Sequence, residues 1–165
     1  MPLLIKLDNK RWWDKPEWLT KGDVPAQALL DFKLENNELS VWHVESNGSN
    51  LDRVLTALAA NRDFIDKIDY AVLDEKVVAD WDIKLRKTPG ISPDDYASKE
   101  WHRDLTELTG LKLLGLATEI VDLIKRKQPA MVKALLATAA EEGRINKDLM
   151  KQSLAAKFKW PAPPS

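Results

Sequence analysis

The sequence predicts an α+β fold: a small N-terminal sheet with a β-hairpin and one or two helices, followed by a C-terminal bundle of three or four helices. Three observations predict it. Apolar and polar residues alternate through much of residues 28–45, as they do in half-buried strands. Apolar residues recur at helical spacing in residues 51–61 and over most of residues 92–160. The composition, 44% hydrophobic and 31% charged, is that of a globular protein able to bury a core.

The predicted α/β layer covers residues 1–88 and opens with a strand at residues 3–7, which are mostly apolar. A short helix is expected at residues 14–19. Asp14 is placed to cap this helix, and Pro16 has the fixed φ angle that suits a first helical turn.

A β-hairpin is predicted at residues 28–45. Asn36 and Asn37 lie between its two alternating halves, and asparagine tolerates the positive φ angles that a two-residue hairpin turn requires. In the first half, the alternation places one set of side chains on an apolar face: Leu30, Phe32 and Leu34. The other set is polar and faces away from it: Asp31, Lys33 and Glu35.

A helix at residues 51–61 and a strand at residues 68–73 complete this layer. Residues 83–93 form the clearest boundary in the chain. Pro89 and Gly90 indicate a turn there, and the Ser-Pro-Asp-Asp sequence that begins at Ser92 is a strong helix start.

The predicted helical region covers residues 92–160 and packs on the first layer as one compact unit. Its first helix reaches residue 127, with a bend or break between Gly110 and Gly115. Pro129 restarts a helix that Gly143 ends. Asn146 caps the last helix, and residues 161–165 form an extended tail.

The sequence argues against several kinds of functional site and targeting segment. The chain has no cysteine, so it can form neither a disulfide nor a thiolate metal site. Its first apolar run is too short for a signal-peptide core, and its apolar stretches fall short of the roughly 18 residues that cross a bilayer. Phosphate-binding and nucleophile-elbow motifs are missing. We therefore expect a cytoplasmic protein with no membrane partner, no metal and no cofactor.

Asp31-Phe32-Lys33 is the strongest enzyme-like pattern. An acidic-x-Lys unit on a strand resembles the motif of magnesium-dependent nucleases of the restriction-endonuclease type. The resemblance implies that two carboxylates hold magnesium and that the lysine stabilises developing negative charge. Asp8 or Asp23 would supply the second carboxylate. The alternative is that Asp31 and Lys33 lie on the solvated face of a hairpin and have no catalytic role.

The distribution of charge along the chain suggests a second alternative function, nonspecific nucleic-acid binding. Residues 110–165 carry a net charge of +5, whereas residues 1–109 carry −6. The basic C-terminal helices could contact phosphates nonspecifically through four side chains: Lys147, Lys151, Lys157 and Lys159. Uneven surface charge without a partner explains the same pattern.

The tryptophan content is the basis of the leading functional hypothesis. The chain has seven Trp against three Phe and two Tyr, and Trp12 and Trp13 follow Arg11 directly. Aromatic and arginine side chains are enriched at the centres of protein interfaces. We expect these three residues to contact another protein, and the chain to act by protein–protein interaction as an immunity, antitoxin or adaptor-like component. If the rings instead hold a short segment on the sheet, they will be buried.

The two histidines are interpreted as partly buried side chains satisfied by one hydrogen bond. His43 and Glu45 share a strand face, whereas His102 and Asp104, on a predicted helix, do not share one well.

Overall fold

A computed structural model describes residues 1–8, 10–13, 24–158 and 160. Six strands in these residues form one antiparallel sheet: β1 (Pro2–Leu7), β2 (Leu39–His43), β3 (Ile68–Asp74), β4 (Lys84–Lys87), β5 (His102–Thr106) and β6 (Ile124–Lys127). Their order across the sheet is β4-β5-β2-β1-β3-β6. Every neighbouring pair is antiparallel.

Helices cover both faces of the sheet. The described residues contain α1 (Ala26–Leu30), α2 (Leu51–Ala60), α3 (Glu75–Asp80), α4 (Asp95–Trp101), α5 (Gly110–Ile120), α6 (Pro129–Glu141) and α7 (Gln152–Ala155). Helices α1, α3 and α5 pack on the first face. Helices α2, α4, α6 and α7 pack on the second face. The molecule therefore has three layers, and the chain is mixed α and β as expected.

The central strand β1 explains why both faces need a cover. Leu3, Ile5 and Leu7 belong to the apolar cluster of the first face, and Leu4 belongs to that of the second. A strand that is buried on both faces is apolar at successive positions rather than at alternate ones. Lys6 is the exception in this strand, since its side chain remains 33% exposed.

The predicted strand at residues 28–35 is wrong, because residues 26–30 form α1. Pro25 precedes this helix, and its Ala-Gln-Ala-Leu-Leu sequence consists of residues with good helix propensity. In consequence Leu30 is 76% exposed while Phe32 is 2% exposed. The turn itself is confirmed: Asn36 and Asn37 have φ angles of 52° and 60°, and they close a single bridge between residues 35 and 38 ahead of β2.

The helix predicted up to residue 127 is also interrupted. Residues 102–106 form β5, which pairs with β2 and β4, and residues 124–127 form β6, which pairs with β3. These segments are short and polar, so pairing with distant strands decides their conformation. The C-terminal helices are divided between the two sheet faces, with α5 on the first and α4, α6 and α7 on the second, so the predicted C-terminal bundle is not confirmed.

Other predicted elements agree with the structure. The helix at residues 51–61 corresponds to α2 and the strand at residues 68–73 to β3. Asp94 caps α4 by accepting a hydrogen bond from the Ala97 amide, and Gly143, with φ 66°, follows α6. The helix predicted at residues 14–19 and the tail at residues 161–165 lie outside the described residues.

Candidate functional site

A row of polar side chains crosses the second face of the sheet. Asp104 on β5 is paired with Ser40 on β2. The β1–β2 register, in which Ile5 faces Val41, places Lys6 opposite Ser40. Ser40 is exposed, so this end of the second face is open to solvent.

A cavity of about 500 Å³ lies over the Asp104 end of this row. We call it the cleft. Its floor comes from β2 and β5, and its walls come from the turn before β2, the loop before α4 and the end of α2. The lining residues include Glu35, Glu38, Ser40, Trp42, Asn61, Gly90, Ile91, His102 and Asp104, with Lys33 at one side.

Asp104 organises the polar floor of the cleft. Its carboxylate accepts hydrogen bonds from the Thr88 hydroxyl at 2.6 Å and from the Ser40 hydroxyl at 3.2 Å. Arg86 lies 3.9 Å from the same carboxylate and donates to Glu38 at 2.7 Å. The arginine thus neutralises much of the charge of Glu38.

His102 is held in one orientation by its neighbours. Its Nδ1 lies 3.1 Å from the Thr88 carbonyl oxygen, which only accepts hydrogen bonds, so Nδ1 carries a proton in this arrangement. Nε2 lies 4.0 Å from Asp104. The ring is edge-on to Trp42 at 5.3 Å, and a Cβ atom on Gly90 would come within 2.7 Å of the imidazole. Position 90 therefore has no room for a side chain unless the ring moves.

A second cavity, of about 390 Å³, lies beyond the Lys6 end of the row. We call it the basic groove. Five cationic side chains line it: Lys6, Lys33, Arg62, Lys67 and Lys151. Three carboxylates also line it: Asp8, Asp63 and Asp66. Phe64 contributes an aromatic ring that is 57% exposed.

Asp8 lies between two of these lysines. Its carboxylate is 3.1 Å from Lys6 Nζ and in contact with Lys33 Nζ. Partial burial would raise the pKa of Asp8, but the hydrogen bond from Lys33 and the charge of Lys6 together outweigh it and hold this pKa below its usual value. Nearby, Arg62 donates to the Lys67 carbonyl oxygen at 2.6 Å. Burial lowers the pKa of Arg62, and the charges of surrounding carboxylates oppose that effect.

The cleft and the basic groove are adjacent. Lys33 and Asn61 line both. A smaller cavity of about 130 Å³ shares Lys33 and Ser40 with the cleft and Lys6, Asp8 and Lys33 with the basic groove. We call the whole surface the trough. It runs across the strands, from β5 over β2 to β1.

The structure brings together part of the nuclease motif. Asp8 and Lys33, two of the residues that the hypothesis names, are in contact. Asp31, however, follows α1 instead of lying on a strand, and its Oδ2 accepts hydrogen bonds from the Trp13 indole at 2.9 Å and from the Asp8 amide at 3.1 Å. These hydrogen bonds connect the Asp31 carboxylate to the buried Trp13 and to the end of β1. Asp23 lies outside the described residues.

Trp13 is buried, so the expectation that it lies at the surface is wrong. It is 2% exposed and packs edge-on against Phe32, with the ring centroids 5.3 Å apart. The buried Asp31 carboxylate supplies a partner for its indole N–H, which makes burial of this ring favourable. Trp12 is half-buried against the same cluster, and the Arg11 guanidinium stacks 4.4 Å above its ring.

The four predicted basic residues have different surroundings. Lys151 lines the basic groove and forms an ion pair with Asp63 at 2.8 Å. Lys147 lies 5.6 Å from the ring centroid of Trp160, and Lys157 is exposed. Lys159 lies outside the described residues.

Sequence reasoning missed His102 and Asp104 because it assigned them to a helix. In the strand that they actually form, residues two apart project from the same face. The sequence His-Arg-Asp-Leu-Thr gives no alternating signal, since it has one apolar residue in five and follows a helix directly.

No protein-family model matches this chain, and neither does any curated protein or solved structure. None of the described helices combines the length and apolar character needed to cross a membrane. Within the described ranges, histidines and carboxylates do not gather in any group of three or more suited to a metal ion.

Proposed function

We propose that this protein acts in the cytoplasm by binding another protein, and that the trough receives an extended segment of that partner. The observation that carries the proposal is that the cleft and the basic groove lie side by side across the open end of the sheet and share lining residues. A long, open depression suits a chain segment better than a compact small molecule, which is usually enclosed on most of its surface.

The chemistry of the trough supports a protein partner. Ile91 is 88% exposed at the rim of the cleft, and Trp42 contributes an aromatic edge to its floor. Phe64 gives the basic groove a second exposed apolar group. Apolar and aromatic groups surrounded by charged ones are typical of protein interfaces, in which the apolar groups supply affinity and the rim supplies specificity.

The proposed role is that of an immunity, antitoxin or adaptor-like component, since such proteins act by contact alone. Arg11 and Trp12 are a separate candidate contact on the first face, where their stacked side chains are partly exposed. The nuclease alternative has weaker support, because the core hydrogen bonds of Asp31 compete with any ligand for its carboxylate.

Site-specific photo-crosslinking tests the proposal. A benzophenone amino acid is placed at position 91 in the cleft rim or, as the control, at position 111. Leu111 is 68% exposed on α5, which packs on the opposite face of the sheet. Irradiation in an extract of the source cells is expected to give a discrete protein adduct from position 91 that is missing from position 111.

Charge reversal at Glu35, whose side chain is exposed in the cleft, provides the second arm. Glu35→Lys is expected to reduce the adduct at position 91 while leaving the thermal melt unchanged, because an exposed side chain contributes little to folding stability. The same adducts from positions 91 and 111, or an adduct that is insensitive to Glu35→Lys, would contradict the proposal.

A further inference from the structure

The two ends of the trough differ in charge. The cleft is lined by three carboxylates, Glu35, Glu38 and Asp104, and by one lysine. Arg86 lies 2.7 Å from Glu38 and 3.9 Å from Asp104, so the three carboxylates exceed Lys33 and Arg86 together by one charge and the cleft is weakly negative. The basic groove is lined by five cations and three carboxylates, so its net charge is positive. A ligand that fills both ends must therefore carry positive charge at one end and negative charge at the other.

The strand register fixes the distance between the two ends. Asp104, Ser40 and Lys6 lie in one row across three adjacent strands. Neighbouring strands are about 4.8 Å apart, so Asp104 and Lys6 are separated by about 10 Å across the sheet. The basic groove continues past β1 to Lys67. Because Lys6 is opposite Tyr70 on β3, Lys67 lies one strand further across the sheet and three residues along the chain from the end of this row.

An extended chain converts this distance into a residue spacing. A polyproline II segment rises about 3.1 Å per residue and has three residues per turn, so side chains three apart point the same way about 9 Å from each other. In a β-strand, side chains four apart share a face at a separation of about 13 Å. Either spacing places one side chain over Asp104 and the other between Lys6 and Lys67.

We infer that the trough recognises an extended protein segment in which a basic and an acidic side chain are three or four residues apart, the basic one in the cleft and the acidic one in the basic groove. This inference rests on the proposed function and specifies the partner's chemistry. Apolar side chains that flank the acidic residue would pack on Phe64, whose ring is exposed in the basic groove.

A nucleic acid fits the same surface less well. Its phosphates repeat at every nucleotide, so a strand lying along the trough would place negative charge against the carboxylates of both ends. A protein segment can place its few carboxylates at the cations alone.

Labelled peptides binding to the full chain test the inference by fluorescence anisotropy. One probe has Arg and Glu four apart in an Ala/Pro background with one Leu, and a second has the same composition with Arg and Glu adjacent. The first is expected to bind about tenfold more tightly, because only it can form both ion pairs together. A ten-nucleotide oligothymidylate is the third probe.

Matched charge reversals in the protein and in the peptide test which end of the trough binds the acidic side chain. Lys67→Glu is expected to weaken the spaced peptide, and replacing the peptide's Glu by Lys should restore binding to that variant alone. Equal affinity for the spaced and adjacent peptides, tighter binding of the oligothymidylate, or no peptide binding at millimolar concentration would overturn the inference. If the photo-adduct at position 91 persists in any of these cases, the proposed function stands and only the charge-spacing rule fails.

Discussion

Truncation of Trp13 is expected to destabilise the fold strongly. A buried Trp removes about 150–250 Å² from water. At about 25 cal/mol per Å² this burial contributes roughly 4–6 kcal/mol as an upper bound. Trp→Ala substitutions in cores cost about 3–5 kcal/mol. Because Trp13 is 2% exposed and also donates to Asp31, we expect Trp13→Ala to lower the free energy of unfolding by about 4 kcal/mol.

Two further variants separate the contribution of the Trp13 hydrogen bond from that of aromatic ring burial. Trp13→Phe keeps an aromatic ring beside Phe32 but removes the indole N–H that Asp31 accepts. Its cost should approach the roughly 1.5–3 kcal/mol of a hydrogen bond to a charged group. Trp12→Ala removes a half-buried ring from the neighbouring position and should cost about 1–2 kcal/mol.

Urea unfolding followed by far-UV circular dichroism measures all three. The chain has seven tryptophans, so intrinsic fluorescence would mix their signals. The reasoning is refuted if Trp13→Ala costs less than about 1 kcal/mol, or if Trp12→Ala costs more than Trp13→Ala, since burial would then not determine the loss.

Three further measurements test individual contacts. The pKa of Asp8 is lowered in the folded state, so its stabilisation is present above its unfolded pKa of about 4 and is lost as the pH falls through the folded value. Asp8→Asn should therefore destabilise the protein at neutral pH, and pH-dependent unfolding should show this deficit shrinking as the pH falls below about 4. Gly90→Ala should displace the His102 ring, seen as a shift of its NMR signals, and cost about 1–3 kcal/mol, whereas Gly110→Ala meets no atom within 4 Å and should be nearly neutral in the same melts. Asp94→Ala should cost about 3–5 kcal/mol in urea unfolding, because it removes a helix cap and leaves a bidentate arginine without its buried partner.

Local signals in the sequence predicted the elements whose conformation depends on few distant contacts. The amphipathic α2, the capped start of α4 and the Asn36–Asn37 turn each follow from residues within one or two turns of chain. Strands β5 and β6 were missed because segments of four or five mostly polar residues do not specify a strand by themselves. The pairings of β5 with β2 and of β6 with β3 join residues more than 50 positions apart, and no local pattern records them.

The trough depends on the same long-range pairing. Residue Asp104 lies 64 positions from Ser40, and Ser40 lies beside Lys6 only because β2 adds to β1 in one particular register. A shift of one residue in that register would turn Ser40 or Lys6 toward the first face and separate the acidic end of the row from the basic end. Strand registers are fixed here by the apolar residues on both faces of β1, which must remain buried. The packing of the core therefore sets the charge spacing of the trough, and substitutions that loosen the β1–β2 pairing should alter peptide selectivity before they unfold the protein.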